Sequence, residues 1–322
     1  MPIIIPNELP AAQTLQRENI FTMSEGRAGT QDIRPLEILI VNLMPTKIAT
    51  ETQLARMLAN SPIQVRLTLL QMATHEQSHV SQRHMDMFYK TFDEVKDRRF
   101  DGMILTGAPL DFVDFEDVDY WDEIVRILDW SHDNIYTNFY LCWGAFAALY
   151  YYYGIHKTIT EGRRKLFGIY EHHVTRRHNP LVRGFDEYFW SPVSRACYVR
   201  KDEVLEHPEL RILAENEETG PALISTENGR QIFMLGHNEY GRTTLAEEYW
   251  RDTKNGTGGD VRIPVNYFEN DDPEGEIKLK WRSHGNLLFT NWLNYYVYQE
   301  APYDYLINKD SNWINSERSI DK

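Results

Sequence analysis

The chain has 322 residues, 42 % of them hydrophobic and 25 % charged, which excludes a disordered or fibrous protein and leaves room for one large α/β domain. Lys and Arg number 34 against 48 Asp and Glu, a net charge of −14, so neither nucleic acid nor an anionic membrane is an expected partner, and an anionic ligand must find a local cationic patch. Two cysteines, Cys142 and Cys197, exclude a disulfide framework, and with no basic leader and no apolar run near 18 residues the expectation is a soluble, cytoplasmic protein.

In chain order, residues 36–44 (LEILIVNLM) form an apolar run of strand length closed by Pro45, the pattern of a strand buried on both faces. A helix is predicted over 48–59, a strand over 63–72, and a helix over 83–98. Asp101-Gly102 leads into a strand at 103–109, followed by a helix near 118–132 and a β-branched and aromatic strand at 135–141. CWGAFAALYYYYG then reads as a helix ending at Gly154. Such alternation predicts a mostly parallel, doubly wound sheet with helices on both faces. The second half is less regular. Asn228-Gly229 marks a hairpin within 222–236, a helix is predicted over 242–253, an irregular segment over 255–285, and a closing helix over 281–299. Residues 1–35 are read as an extension packed on a single domain of 36–300, and 301–322 as a tail.

Cys142 sits where a buried strand gives way to a helix. A side chain there stands above the carboxyl edge of the sheet, and the helix N-terminus favours a thiolate and offers N–H groups to an oxyanion, with Gly144 suiting a tight elbow. Position alone also fits a packed structural cysteine, as it does for Cys197, which no helix follows. A thiol nucleophile needs a base and the base an orienter. His237 and Glu239 leave the hairpin two residues apart, so they point to the same side, although a solvated loop histidine beside an unrelated carboxylate would read the same. His75, His79, His84, His172 and His173 have no metal-ligand spacing and read as surface or packing histidines. GxxxxGK[ST], GxGxxG and GxSxG are absent from the sequence.

Beyond these patterns, NLMPTKIATETQLARML (42–58), DGMILTGAPLDFVDFEDVDYW (101–121), LCWGAFAALYYYYGI (141–155), KLFGIYEHH (165–173), GHNEY (236–240), EYWRD (248–252) and WRSHGNLLFTNWLNYYVYQEAPYD (281–304) resemble the amidotransferase-like homoserine O-acyltransferases, the O-acetyl- and O-succinyltransferases of methionine biosynthesis. The resemblance implies a fold like that of class I glutamine amidotransferases (flavodoxin-like), with Cys142, His237 and Glu239 as the catalytic triad and Lys165, Ser194 and Arg251 as contacts to the amino-acid substrate. Lys and Arg suit a carboxylate, Arg through its two-pronged fork. Three departures stand out: Thr46 replaces a basic residue, leaving Lys47 alone for an oxyanion or acyl-pocket role; Val193 replaces a histidine ahead of Ser194; and the loop HKTITEGRR (156–164) is two residues longer.

The implied reaction is a two-step transfer. Cys142 takes acetyl from acetyl-CoA as an acyl-thioester, and the hydroxyl of L-homoserine, deprotonated by His237, accepts it, with acetyl-CoA as co-substrate and no metal or redox cofactor. Serine as acceptor, succinyl as acyl group, and a cysteine hydrolase or amidotransferase of the same fold are the alternatives; a homodimer is compatible with the fold. In the family, Gly at position 111 goes with succinyl transfer and Glu with acetyl transfer. Asp111 is neither, yet a carboxylate facing the succinyl carboxylate at about 4 Å, with an effective dielectric near 20, would repel it by about 4 kcal/mol, so acetyl is expected.

Overall fold

The computed structural model describes residues 3–6, 8–31, 33–75, 80–255 and 261–301, so the predicted tail beyond residue 301 and His79 lie outside the described residues. Its centre is a parallel sheet in the spatial order Val65–Leu70, Leu36–Val41, Phe100–Leu105, Ile135–Leu141 and Gln231–Met234. The Leu36–Val41 and Phe100–Leu105 strands are buried along their whole length. Alternation divides their side chains between two cores. Ile38 and Ile40 pack with Leu54, Met57, Phe289 and Trp292 on one face, while Leu39 and Val41 pack with Ile124, Leu128, Trp143 and Phe146 on the other. Helices Lys47–Leu58 and Arg282–Asn291 therefore cover the first face, and Trp121–Asn134 and Trp143–Tyr153 the second.

The Asn228-Gly229 hairpin forms as predicted, joining Gly220–Thr226 to Gln231–Met234. Gly229 has φ +66°, and a Cβ there would stand 1.8 Å from the Tyr296 ring, so both conformation and space require glycine. Through this hairpin the parallel sheet continues into an antiparallel flank of Leu210–Asn216, Leu166–Val174 and Tyr188–Arg195. At the opposite edge Ile3–Ile4 and Thr22–Met23 add short parallel strands.

Three elements differ from expectation. The predicted 83–98 helix is broken: Gln82–Phe88 is helical, Tyr89–Lys90 pairs with Leu69 and Leu70, and Phe92–Val95 starts anew. The break is dictated by a capping box in which Thr91 and Glu94 satisfy each other's backbone donors. The strand expected at 103–109 begins at Phe100 and ends at Leu105, because Asp101 is accommodated inside it by Arg34 at 2.6 Å and the Glu37 N–H at 2.8 Å. The closing helix widens to π geometry over Trp292–Gln299. Among the described residues no helix is long and apolar enough to cross a membrane.

Candidate active site

Loops that follow four neighbouring parallel strands meet at their carboxyl edge, around a cavity of about 590 Å³. Met44, Pro45 and Thr46 follow the first strand, Thr106–Asp111 the second, Cys142 the third, and His237, Glu239 and Tyr240 the fourth.

Cys142 caps the N-terminus of helix Trp143–Tyr153 with φ 47° and ψ −117°, a left-handed conformation for a residue with a side chain. Its own N–H donates to the Met234 carbonyl at 2.8 Å, which ties the elbow to the neighbouring strand. Glycines on both sides make the elbow fit. A Cβ on Gly144 would stand 2.6 Å from the Thr106 carbonyl oxygen and 2.8 Å from that of Leu105, so the helix start lies directly on the adjacent strand end. Gly144→Ala is expected to lower stability by about 1–3 kcal/mol, read as a drop in denaturation midpoint, because the obstructing atoms are backbone and cannot swing aside. On the cavity side, a Cβ on Gly107 would lie 3.2 Å from Cys142 Cβ, 3.5 Å from the Trp143 nitrogen and 3.7 Å from His237 Cε1. Bare glycine therefore keeps open the space between thiol, helix N–H and imidazole.

His237 and Glu239 are almost wholly buried. Nδ1 of His237 is 2.7 Å from Glu239 Oε1, and its ring edge and Cys142 both border the space beside Gly107. The Tyr240 ring stacks on the imidazole at 4.1 Å between centroids, fixing its plane. Burial alone pushes the imidazole pKa down, but the charges of Cys142 and Glu239, together with their hydrogen bonds, outweigh it and hold His237 well above the usual histidine value. The three residues singled out from the sequence thus meet at one place, Glu239 bound to His237 and Cys142 beside it at the cavity. Cys197, by contrast, is fully buried at the strand end beside Asp111, where burial pushes its thiol pKa far up, so the structure makes it a packing residue.

Lys165, Ser194 and Arg251 all line the same cavity. They converge on carboxylates the sequence reading did not single out. Glu248 accepts from Ser194 Oγ at 2.5 Å, Lys165 Nζ at 3.3 Å and Tyr240 Oη at 3.0 Å, while Asp252 takes Lys165 at 3.3 Å and Arg251 Nε at 2.9 Å. Glu248 stands three residues before Arg251 on helix Thr244–Asn255, a spacing that brings both to one face and offered the available signal.

Two expectations are corrected. Lys47 does not line the cavity: it is buried, donates from Nζ to the Asn42 carbonyl, and stands over the Tyr89 ring, while burial pushes its ammonium down to about 8. Thr46, its neighbour, faces the cavity instead. Val193 costs the pocket no polar group, since alternation along Tyr188–Arg195 turns it into an apolar cluster with Leu166 and Tyr170. Of the histidines set aside as ligands, His75 meets Asp119, His84 meets Glu51, and His172 meets Thr219. Among the described residues no group of three or more His, Cys, Asp or Glu side chains is placed to hold a metal.

A sequence model of homoserine O-succinyltransferases matches residues 2–303. The chain is 52 % identical over 304 residues to a homoserine O-acetyltransferase of Petrotoga mobilis, covering 94 % of this chain and 97 % of that one. It is likewise 52 % identical over 310 residues to a homoserine O-acetyltransferase of Agathobacter rectalis (96 % and 99 %), and 50 % identical over 312 residues to one of Methanomethylophilus alvi (97 % and 100 %). In fold it is similar to a glutamine amidotransferase of Thermotoga maritima, with TM-score 0.53 and 10 % identity over 81 % of this chain and 98 % of that one.

Proposed function

We propose that this chain, which belongs to the homoserine O-succinyltransferase family, transfers acetyl from acetyl-CoA to the hydroxyl of L-homoserine. The observation that carries this reading is Cys142 in its left-handed elbow, set beside a Glu239-bound imidazole at a cavity that Lys165, Ser194, Glu248 and Arg251 also line. The Cys142 thiolate attacks the thioester carbonyl; the tetrahedral oxyanion forms beside Gly107, within reach of the Trp143 N–H, which begins a helix and has no carbonyl one turn back to bond. Collapse expels the CoA thiolate, which takes the proton from His237, and leaves acetyl on Cys142. His237, now neutral, removes the homoserine hydroxyl proton; the oxygen attacks the acyl carbon and releases the thiolate. One thioester is exchanged for another in the first step, so it proceeds close to thermal balance, with no metal or redox cofactor called on.

The acceptor is zwitterionic and the cavity wall is too. Lys165 and Arg251 suit its carboxylate, and Glu248, which already binds Lys165 and Ser194, suits its ammonium. Each cation replaced by alanine should raise KM for homoserine about 10–100-fold, the worth of a hydrogen bond to a charged group, with little change in KM for acetyl-CoA. Equal effects on both substrates would remove Lys165 and Arg251 from the acceptor site.

Initial-rate kinetics test the whole reading. Parallel double-reciprocal lines with acetyl-CoA and homoserine, and a Cys142 acetyl adduct by intact mass in the absence of homoserine, are expected. Preference for succinyl-CoA would change the donor, preference for serine the acceptor, and ammonia release from glutamine the reaction class.

A further inference from the structure

Three Lys and Arg side chains line the cavity, and carboxylates already hold two of them. Lys165 pairs with Glu248 and Asp252, and Arg251 with Asp252. Arg163 forms no ion pair among the described residues; its guanidinium lies over the Phe112 ring, 4.9 Å from the centroid. Gly162 and Arg163 are consecutive left-handed residues, with φ 61° and 58°, and the turn they make leaves Arg163 at the cavity while Arg164 pairs with Glu218 at 3.2 Å. Phe112 lines the cavity too, yet is 50 % exposed, so its ring stands at the mouth. The two segments that carry this pair are fixed to each other. Lys157 Nζ donates to the carbonyls of Leu110 and Val113, on either side of Phe112. Ala196 joins both segments, its N–H donating to Asp111 Oδ2 at 2.7 Å and its carbonyl accepting the Thr160 N–H at 3.0 Å. Phe112 and Arg163 are therefore stacked in advance on a braced rim.

The acyl-transfer steps leave this pair unused and the bulk of the acetyl donor unplaced. The donor's acetyl end must reach Cys142 in a space of about 590 Å³ that the acceptor shares, so its adenine, diphosphate and 3′-phosphate lie at the mouth or beyond. In a chain of net charge −14, with Glu239, Glu247 and Glu248 also lining the cavity, a phosphate needs a cation not already neutralised. Arg163 is that cation. A planar guanidinium binds two phosphate oxygens at once, and an exposed aromatic face stacks a base. We propose that Phe112 and Arg163 receive the nucleotide end of acetyl-CoA, Phe112 stacking the adenine and Arg163 binding phosphate. The inference rests on the acetyl-transfer reading above and deepens it, adding a donor site to the acceptor site at Lys165, Ser194 and Arg251.

The test compares kcat/KM for acetyl-CoA with that for S-acetylpantetheine, which carries the same thioester and arm but lacks the nucleotide. Arg163→Met and Phe112→Ala should each lower the acetyl-CoA value about tenfold, and S-acetylpantetheine should not register either change. Arg163→Lys, which keeps the charge and loses the fork, should recover part of the loss. Added salt should shrink the advantage of acetyl-CoA over S-acetylpantetheine more in the wild type than in Arg163→Met. Adenosine 3′,5′-bisphosphate should bind the wild type by calorimetry and bind Arg163→Met about tenfold more weakly. Losses of equal size with both thioesters, an unchanged acetyl-CoA value, or unchanged binding of the bisphosphate would overturn the nucleotide site. The bisphosphate carries no acyl group, so its binding reads the site even if no thioester acylated the wild type, the result that would instead remove the acetyl-transfer reading.

Discussion

Cys142→Ala is expected to lower kcat/KM for acetyl transfer by about 10⁴-fold or more and to abolish the covalent adduct with acetyl-CoA, while the protein stays folded. The size of the effect follows from the site. No other thiol is available, since Cys197 is buried beside Asp111 with a raised pKa, and the space beside Gly107 is bordered by Cys142. Folding should survive because the elbow is held by backbone, through the Cys142 N–H to Met234 and the close seat of Gly144, and not by the sulfur. Cys142→Ser keeps shape and hydrogen bonding but replaces the thiolate with a hydroxyl of far higher pKa, so it should be nearly as inactive. Substantial turnover by Cys142→Ala, with its melting curve unchanged, would leave direct attack of homoserine on acetyl-CoA as the mechanism. Intact mass and initial rates measured on the same preparations decide the matter.

The parts of this site that could be read from sequence are those where a residue's place is fixed by a change of local pattern. Cys142 stands where IYTNFYL turns into helix formers, and a parallel strand buried on both faces can end only at the sheet's carboxyl edge. His237 and Glu239 leave a hairpin whose Asn-Gly turn sets the register, so their common side follows from a period of two. Lys47 was not legible. Its position at the first turn of helix Lys47–Leu58 is clear, but whether its side chain faces the cavity or the Asn42 carbonyl depends on a buried cluster of Tyr89, Glu51 and His84 assembled from distant segments. Glu248 was hidden among 48 acidic residues and becomes evident only when strands Leu166–Val174 and Tyr188–Arg195 bring Lys165 and Ser194 beside it. Those strands escaped the sequence reading themselves. KLFGIYEHHV carries Glu171 and His173 on an exposed face near the sheet edge, which breaks the apolar run that marked the central strands.

His237→Ala should cost about 10³–10⁴-fold in kcat and Glu239→Gln should cost less, because in the proposed mechanism the imidazole moves the proton and the carboxylate only orients and charges it. The two variants also separate in pH dependence. In the free enzyme burial lowers the His237 pKa, and the charges of Cys142 and Glu239 with their hydrogen bonds raise it by more. Once Cys142 carries an acyl group its charge is gone, and Glu239 alone opposes burial. Deacylation needs neutral imidazole, so its rate rises as pH passes upward through the His237 pKa of the acyl-enzyme. Removing the Glu239 charge lowers that pKa, and the acidic limb of the kcat profile should therefore move to lower pH in Glu239→Gln while its plateau falls. A limb that stayed in place, or moved to higher pH, would mean that Glu239 fixes the ring by geometry without setting its charge. The stack of Tyr240 on the imidazole, which holds the ring plane whether or not Glu239 is ionised, is what makes this comparison one of charge and not of collapse.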